Sequence, residues 1–212
     1  MPFLSRAIAS SLLLIAVTLS GCGIYHYDYN VTPTLKGQPG KSVVTVVGVD
    51  DRNRDKPGAF KPYYVGLFRD IMIAVPYFIY TKGRTPLADI LANDVALGLK
   101  DSGYRAQSVP NPSIENLDAA LAAGKSSKPV PSRILVVRVY EFESDSQLRT
   151  EFGYTIGFEV YDIKGKLIAS SKVQDLKMYG PAFGAYYFAQ KNLPRKIKEA
   201  LSEGVSPLMK DL

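Results

Sequence analysis

An α+β fold is predicted, a single sandwich in which a mainly antiparallel or mixed sheet carries its helices on one face. Three observations lead there. The periodic segments run β, loop, α, β, short α, three β, α in a chain of 212 residues. Residues 151–163 alternate apolar and polar side chains and then turn back on themselves. Helices are few for a chain of this length, so one covered sheet face is the economical solution.

The element order begins after an amino-terminal leader. Residues 1–21 read MPFLSRAIASSLLLIAVTLSG, with Arg6 as a positive start and Leu12 to Leu19 as an apolar run. That run is shorter than the ~20 residues a membrane-spanning helix needs, which fits a signal peptide. Leu19-Ser20-Gly21-Cys22 resembles the bacterial lipobox. The resemblance implies that Cys22 is acylated and becomes the first residue of the mature chain. Several acyl chains, each methylene contributing about 0.8 kcal/mol, make a lasting anchor where one chain does not. Gly23 stands where an Asp would signal inner-membrane retention, so the resemblance implies the outer membrane, facing the periplasm. Residues 22–41, rich in Tyr, Gly and Pro, read as a tether, with His26 exposed in it.

The domain is expected over 42–212. SVVTVVGVD (42–50) is a β-branched run that reads as a buried strand. The loop Asp50-Asp51-Arg52-Asn53-Arg54-Asp55 reads as self-paired and solvated. Residues 61–83 contain the apolar run Ile71 to Tyr80, interrupted by Pro76, which disfavours a helix interior and a central strand. A hairpin is expected there, buried or at an edge; the alternative is a surface for a partner or lipid built on Ile71, Ile73, Val75, Tyr77 and Phe78.

Residues 85–104 make the strongest helix. Thr85 is the expected cap, Leu87, Ile90, Leu91, Val95 and Leu99 share a face, and Gly103 supplies the left-handed exit. A strand at 104–109 and a short helix at 111–124, capped by Ser113 and stopped by Gly124, follow. Residues 133–145 and 151–163 are strands, and 166–178 return as the partner of a hairpin turning at 162–165. A Gly/aromatic stretch containing Phe183, Tyr186 and Tyr187 leads to a terminal helix capped by Asn192, broken near Gly204 to Pro207. Those three aromatics complete the candidate partner surface, with core packing as the alternative use.

Composition closes several classes of function. One cysteine and one histidine allow no internal disulfide and no Cys/His zinc site, and leave no Ser-His-Asp or Cys-His chemistry outside the tether. The formal charge of +6 is scattered, without a nucleic-acid motif, so no nucleic acid is expected. No phosphate-binding loop or nucleophile elbow is present. Glu141, Glu143 and Asp145 alternate along one strand; the expected role is a solvated strand end, the alternative a cation or acid/base set. No cofactor, no metal and no catalytic residue are expected.

Several segments together resemble a family. VVTVVGVDDRN, then LADILANDVALGLKDSGY, ILVVRVYEF, TIGFEVYDIKGKLI and a carboxy-terminal helix follow the lipobox. This looks like the YajG-type lipoproteins of Gram-negative outer membranes. The resemblance implies an α+β envelope lipoprotein and carries over no catalytic residues. The function expected is a lipid-anchored, non-enzymatic binding module for another envelope protein or lipid. The alternatives are an auxiliary lipoprotein of lipid or hydrophobic-compound transport and, last, an envelope enzyme.

Overall fold

In the computed structural model the described residues are 25–27, 29–37, 40, 42–53, 61–69, 76–146, 149–181 and 185–212. Eight strands form one mixed sheet: β1 (Tyr25–Tyr27), β2 (Val43–Asp50), β3 (Tyr64–Arg69), β4 (Pro76–Thr81), β5 (Arg105–Ser108), β6 (Arg133–Ser146), β7 (Arg149–Asp162) and β8 (Leu167–Pro181). The helices are α1 (Leu87–Asp101), α2 (Leu117–Ser126) and α3 (Ala185–Val205), the last followed by a 3-10 turn over Ser206–Asp211. The α+β class and the mixed sheet agree with the expectation.

Strand β6 is the hub. Its first half pairs parallel with β2, its far end pairs parallel with β3, and its whole length pairs antiparallel with β7. β2 also pairs parallel with β5, so Val44, Val46, Val47 and Val49 are covered on both faces and fully buried. A continuous β-branched run suits a strand without a solvent face. β7 and β8 make the long expected hairpin, and β3 and β4 make the hairpin expected for 61–83.

The principal core lies between the sheet and the two long helices. Leu87, Leu91, Val95 and Leu99 of α1 and Leu193, Ile197, Leu201 and Val205 of α3 pack on Leu135, Val137, Val139, Ile156, Phe158 and Val160. The one-face placement holds for these helices. Helix α2 takes the reverse face, where Ala120 and Leu121 cover Val47, Val49, Ile134, Val136 and Tyr161. The β-branched residues of β2 and β6 are apolar on both sides, and α2 is the element that covers the second side.

Helix limits shift from the sequence expectation. α1 begins at Leu87 with Pro86 in the cap position and no side-chain cap bond; the Thr81 hydroxyl instead donates to the Thr85 carbonyl at 2.5 Å. Asn116, not Ser113, caps α2, its side chain accepting from the Ala119 N–H at 3.0 Å. α3 begins at Ala185 and carries Pro194 within it, so Asn192 is interior.

The stretch read as a tether is packed structure over much of its length. β1 adds to the edge of β4 in parallel, Tyr25 opposite Ile79 and Tyr27 opposite Thr81. Tyr29 is buried edge-on to Phe142, and Leu35 is buried too. The Val31 N–H donates to Asp94 Oδ2 on α1, and those of Thr34 and Lys36 to the Ser202 and Ser206 hydroxyls. The reason was present in the sequence: Tyr29, Val31, Pro33 and Leu35 alternate with polar residues, a period-two pattern that lays one side on a surface.

Candidate functional site

The reverse face of the sheet beyond α2 is the part of the molecule where polar and aromatic groups converge. Its limit toward the interior is set by Asp50 and Arg52. Arg52 Nε donates to Asp50 Oδ1 at 2.8 Å and Nη2 to Oδ2 at 2.7 Å, with the side chains 7% and 1% exposed. The guanidinium also donates to the carbonyls of Tyr64 and Pro62, at 2.5 and 3.0 Å. The expected self-pairing of this loop is present, but these two residues are buried rather than solvated. They are a clamp that ties the end of β2 to the start of β3, with no donor left over for a phosphate.

Asp51 faces the other way. Arg138 Nε donates to its Oδ2 at 2.7 Å and Arg138 Nη1 to Glu159 Oε1 at 3.2 Å, while the Tyr161 hydroxyl donates to Glu159 Oε2 at 2.6 Å. Burial opposes the Arg138 charge, but the Asp51 hydrogen bond and the Glu159 and Asp51 charges outweigh it and raise its pKa. Burial, then the bond to Glu159, hold the Tyr161 phenol protonated well above its ordinary range. Beside this group the Tyr140 ring lies between Arg138 and Lys172, with cation-to-centroid distances of 5.3 and 5.0 Å. Gly157 makes room for it: a Cβ there would meet Tyr140 Cε2 at 2.9 Å.

Toward the far end the cross-strand register builds two rows. One row reads Tyr80, Tyr64 on β4 and β3, and Glu143, Gly153, Leu176 on β6, β7 and β8. The next reads Phe78, Leu67, Asp145, Glu151, Met178. Both have aromatic or aliphatic groups at the flanks and carboxylates in the middle. Leu176 and Met178 are 68% and 58% exposed. The Tyr64 hydroxyl donates to Glu143 Oε1 at 3.4 Å, and burial, then the charges of Glu143 and Asp145, raise the Tyr64 pKa. Thr155 donates to Glu141 Oε2 at 3.0 Å. The alternating acidic set therefore shares a face, and Glu141 and Glu143 each accept a hydroxyl. Among the described residues no group of three or more His, Cys, Asp or Glu side chains is placed to hold a metal ion.

The sequence-derived surface residues separate. Tyr77 and Phe78 are half-buried on β4, and Phe78 stands beside Tyr80 and Tyr64 in an aromatic cluster that also includes Tyr63. Ile79 and Tyr80 are buried. Ile71, Ile73, Val75, Phe183 and Cys22 lie outside the described residues. Tyr186 and Tyr187 fall in the first turn of α3. The register nevertheless brings both segments to one end of the sheet: Arg69 pairs with Pro76, Phe68 with Ser146, and Arg149 with Pro181 just before α3. Sequence reasoning missed Arg138, Tyr140, Lys172, Leu176 and Met178. The signal for the last two was a change of phase, because Val173 faces the core and Leu176 and Met178 are out of step with it.

The sequence matches no family model and no curated protein. Among solved structures the chain is similar to protein XCC0632 from Xanthomonas campestris, described as DUF330, with a TM-score of 0.55 and 15% identity over 89% of this chain and 95% of that one. A PelC dodecamer from Paraburkholderia phytofirmans is similar at a TM-score of 0.49 and 16% identity, over 84% of this chain and 93% of that one. Lipoprotein GNA1162 from Neisseria meningitidis is a more distant likeness, at 0.31 and 12% identity over 64% and 83%. No described helix is long and apolar enough to cross a membrane. The likeness to the Xanthomonas protein, spanning nearly all of both chains, establishes the fold as one already seen in a solved structure.

Proposed function

We propose that the chain is a lipid-anchored outer-membrane lipoprotein of the YajG type, facing the periplasm, which acts as a non-enzymatic binding module for another envelope protein. Leu19-Ser20-Gly21-Cys22 supports the anchor, and neighbours of similar fold that are described as lipoproteins agree with it. The observation that carries the binding role is the sheet face left open beyond α2. Leu176, 68% exposed, stands there with Tyr140, Lys172 and the acidic row. An exposed aliphatic group beside half-buried aromatic and charged groups is the composition of a partner surface. The carboxylates of this face, by contrast, have no companion histidine or thiol with which to run acid/base or nucleophilic chemistry.

In-cell photocrosslinking from Leu176, Gln174 and Lys172, against Lys164 as a remote control, tests the reading. Capture of the same envelope protein from the three face positions, and its loss with Leu176→Glu, is the expected result. Crosslinks no stronger than those from Lys164 would remove the binding role. Palmitate labelling of the wild type and of Cys22→Ser tests the anchor separately, and label retained in the variant would sink it.

A further inference from the structure

We infer that the end of the sheet bearing Arg69, Pro76, Arg149 and Pro181 is a second membrane contact, a docking surface for the leaflet that holds the acyl chains of Cys22. The inference rests on the anchoring proposed above and adds an orientation to it. The first support is the place where the amino-terminal chain joins the domain. β1 lies beside β4 with Tyr25 opposite Ile79. Ile79 is in register, through Gly66, Ser144 and Phe152, with Lys177 of β8. From Lys177 the end at Pro181 is about 13 Å away along the strand and the opposite end at Leu167 about 33 Å. Cys22 is three residues before Tyr25, so its Cα lies within about 10 Å of that position.

The second support is direction. β1 is parallel to β4, and β4 starts from this end at Pro76. The chain therefore reaches Tyr25 from the side of the Pro76 end. An anchor placed there draws this end toward the bilayer and leaves the turn at 162–165 pointing away.

The third support is composition. The outermost cross-strand positions are Arg69 with Pro76 and Arg149 with Pro181. The next row inward holds Tyr77 opposite Phe68, then Ser146, Thr150 and Tyr179. Carboxylates enter only with the following row, at Asp145 and Glu151, where Met178 is 58% exposed. Arginine first and aromatic rings behind it is the order that suits anionic headgroups and the interfacial layer beneath them. At the opposite end Arg133 pairs with Asp162, and the turn carries Lys164 and Lys166 without an aromatic row. Charge alone does not distinguish the ends; the aromatic row and the position of β1 do. With this end down, β6, β7 and β8 rise from the leaflet, and the open face stands free for a partner alongside.

Lys164→Cys, Met178→Cys and Tyr77→Cys in the full, acylated chain give single free thiols for a fluorescent label, since Cys22 is the only native cysteine. The labelled proteins are placed on phosphatidylethanolamine/phosphatidylglycerol vesicles with quencher-bearing acyl chains. Quenching at positions 178 and 77 several-fold above that at 164 is expected, and Met178→Cys, being exposed, does not depend on repacking. Equal quenching at all three, or more at 164, overturns the orientation. Labels at 178 and 77 that escape the lipid quencher while the protein floats with the vesicles also overturn it, and point to a protein partner at this end. Protein that does not float, with no acyl mass on Cys22, overturns the anchor and the orientation together, so the two failures are told apart.

Discussion

Pro33 sits in the notch that Gly98 leaves on α1. A Cβ at position 98 would meet Pro33 Cγ at 2.6 Å and the Pro33 carbonyl oxygen at 2.9 Å. The amino-terminal strap is thus held against α1 by the absence of a side chain, and the Val31 N–H bond to Asp94 fixes it two residues earlier. Gly98→Leu is expected to lift the strap rather than unfold the domain, because the clash involves a peripheral segment whose opening is local. Limited proteolysis within residues 29–37 should become faster, while the thermal transition of the core moves little. Equal loss of both would show that strap and core form one cooperative unit.

The Asp50–Arg52 pair predicts a larger effect. Both side chains are buried and the contact is bidentate, so removing one partner leaves an uncompensated charge in the interior. Asp50→Asn is expected to cost about 3–5 kcal/mol by chemical denaturation. The double variant Asp50→Asn/Arg52→Met should recover only part of that loss, since the Tyr64 and Pro62 carbonyls lose their donor as well. Full recovery would mean that the two carbonyls are satisfied elsewhere once the arginine is gone.

How far the sequence reveals this arrangement varies with the interaction that sets each part. The α1 face and the alternation of 151–163 are local periodicities, and both elements form where the pattern places them. The parallel pairing of β2 with β5 and β6 joins residues far apart in the chain, and no local pattern encodes it. The short helix α2 lies on the second face because Val47, Val49, Ile134 and Val136 need cover there. A count of helices does not contain that information. Glu141, Glu143 and Asp145 are legible as one face, since strand period alone puts them there. Arg138 is not legible as part of the site, because its partners Asp51 and Glu159 come from two other strands' neighbourhoods.

The β7–β8 turn carries a pH dependence of stability. Asp162 accepts the N–H groups of Lys166 and Lys164 on Oδ1, at 2.8 and 2.9 Å, and Gly165 takes a positive φ of 89°. The Lys166 N–H, opposed by burial and helped by Lys164, lowers the Asp162 pKa from its ordinary 3.8. A folded value below the unfolded one means the contribution is present above pH 3.8 and lost as pH falls through the lowered value. Asp162→Ala is therefore expected to melt below wild type at neutral pH and to converge with it in acid. A gap that persists undiminished well below pH 3.8 would assign the effect to the backbone turn and not to the carboxylate.

Gly204 and Phe158 make the sharpest packing test. Gly204 lies in α3 directly over the Phe158 ring, so a Cβ there would overlap it, and the Ser171 hydroxyl donates to the Gly204 carbonyl from β8. Helix propensity favours alanine over glycine by about 1 kcal/mol, whereas overpacking a filled core costs about 1–3 kcal/mol. Phe158 is fully buried, so the ring has little room to yield and the steric cost should win. Gly204→Ala is expected to destabilise the domain, and Phe158→Leu to destabilise it through the space it leaves. In the double variant the new methyl occupies part of that space. Its loss of stability should be smaller than the sum of the two single losses, which denaturant titration of the four proteins measures directly. Strict additivity would show that α3 shifts on the sheet to accommodate the methyl, and that the helix-to-sheet contact at this point is not fixed by the ring.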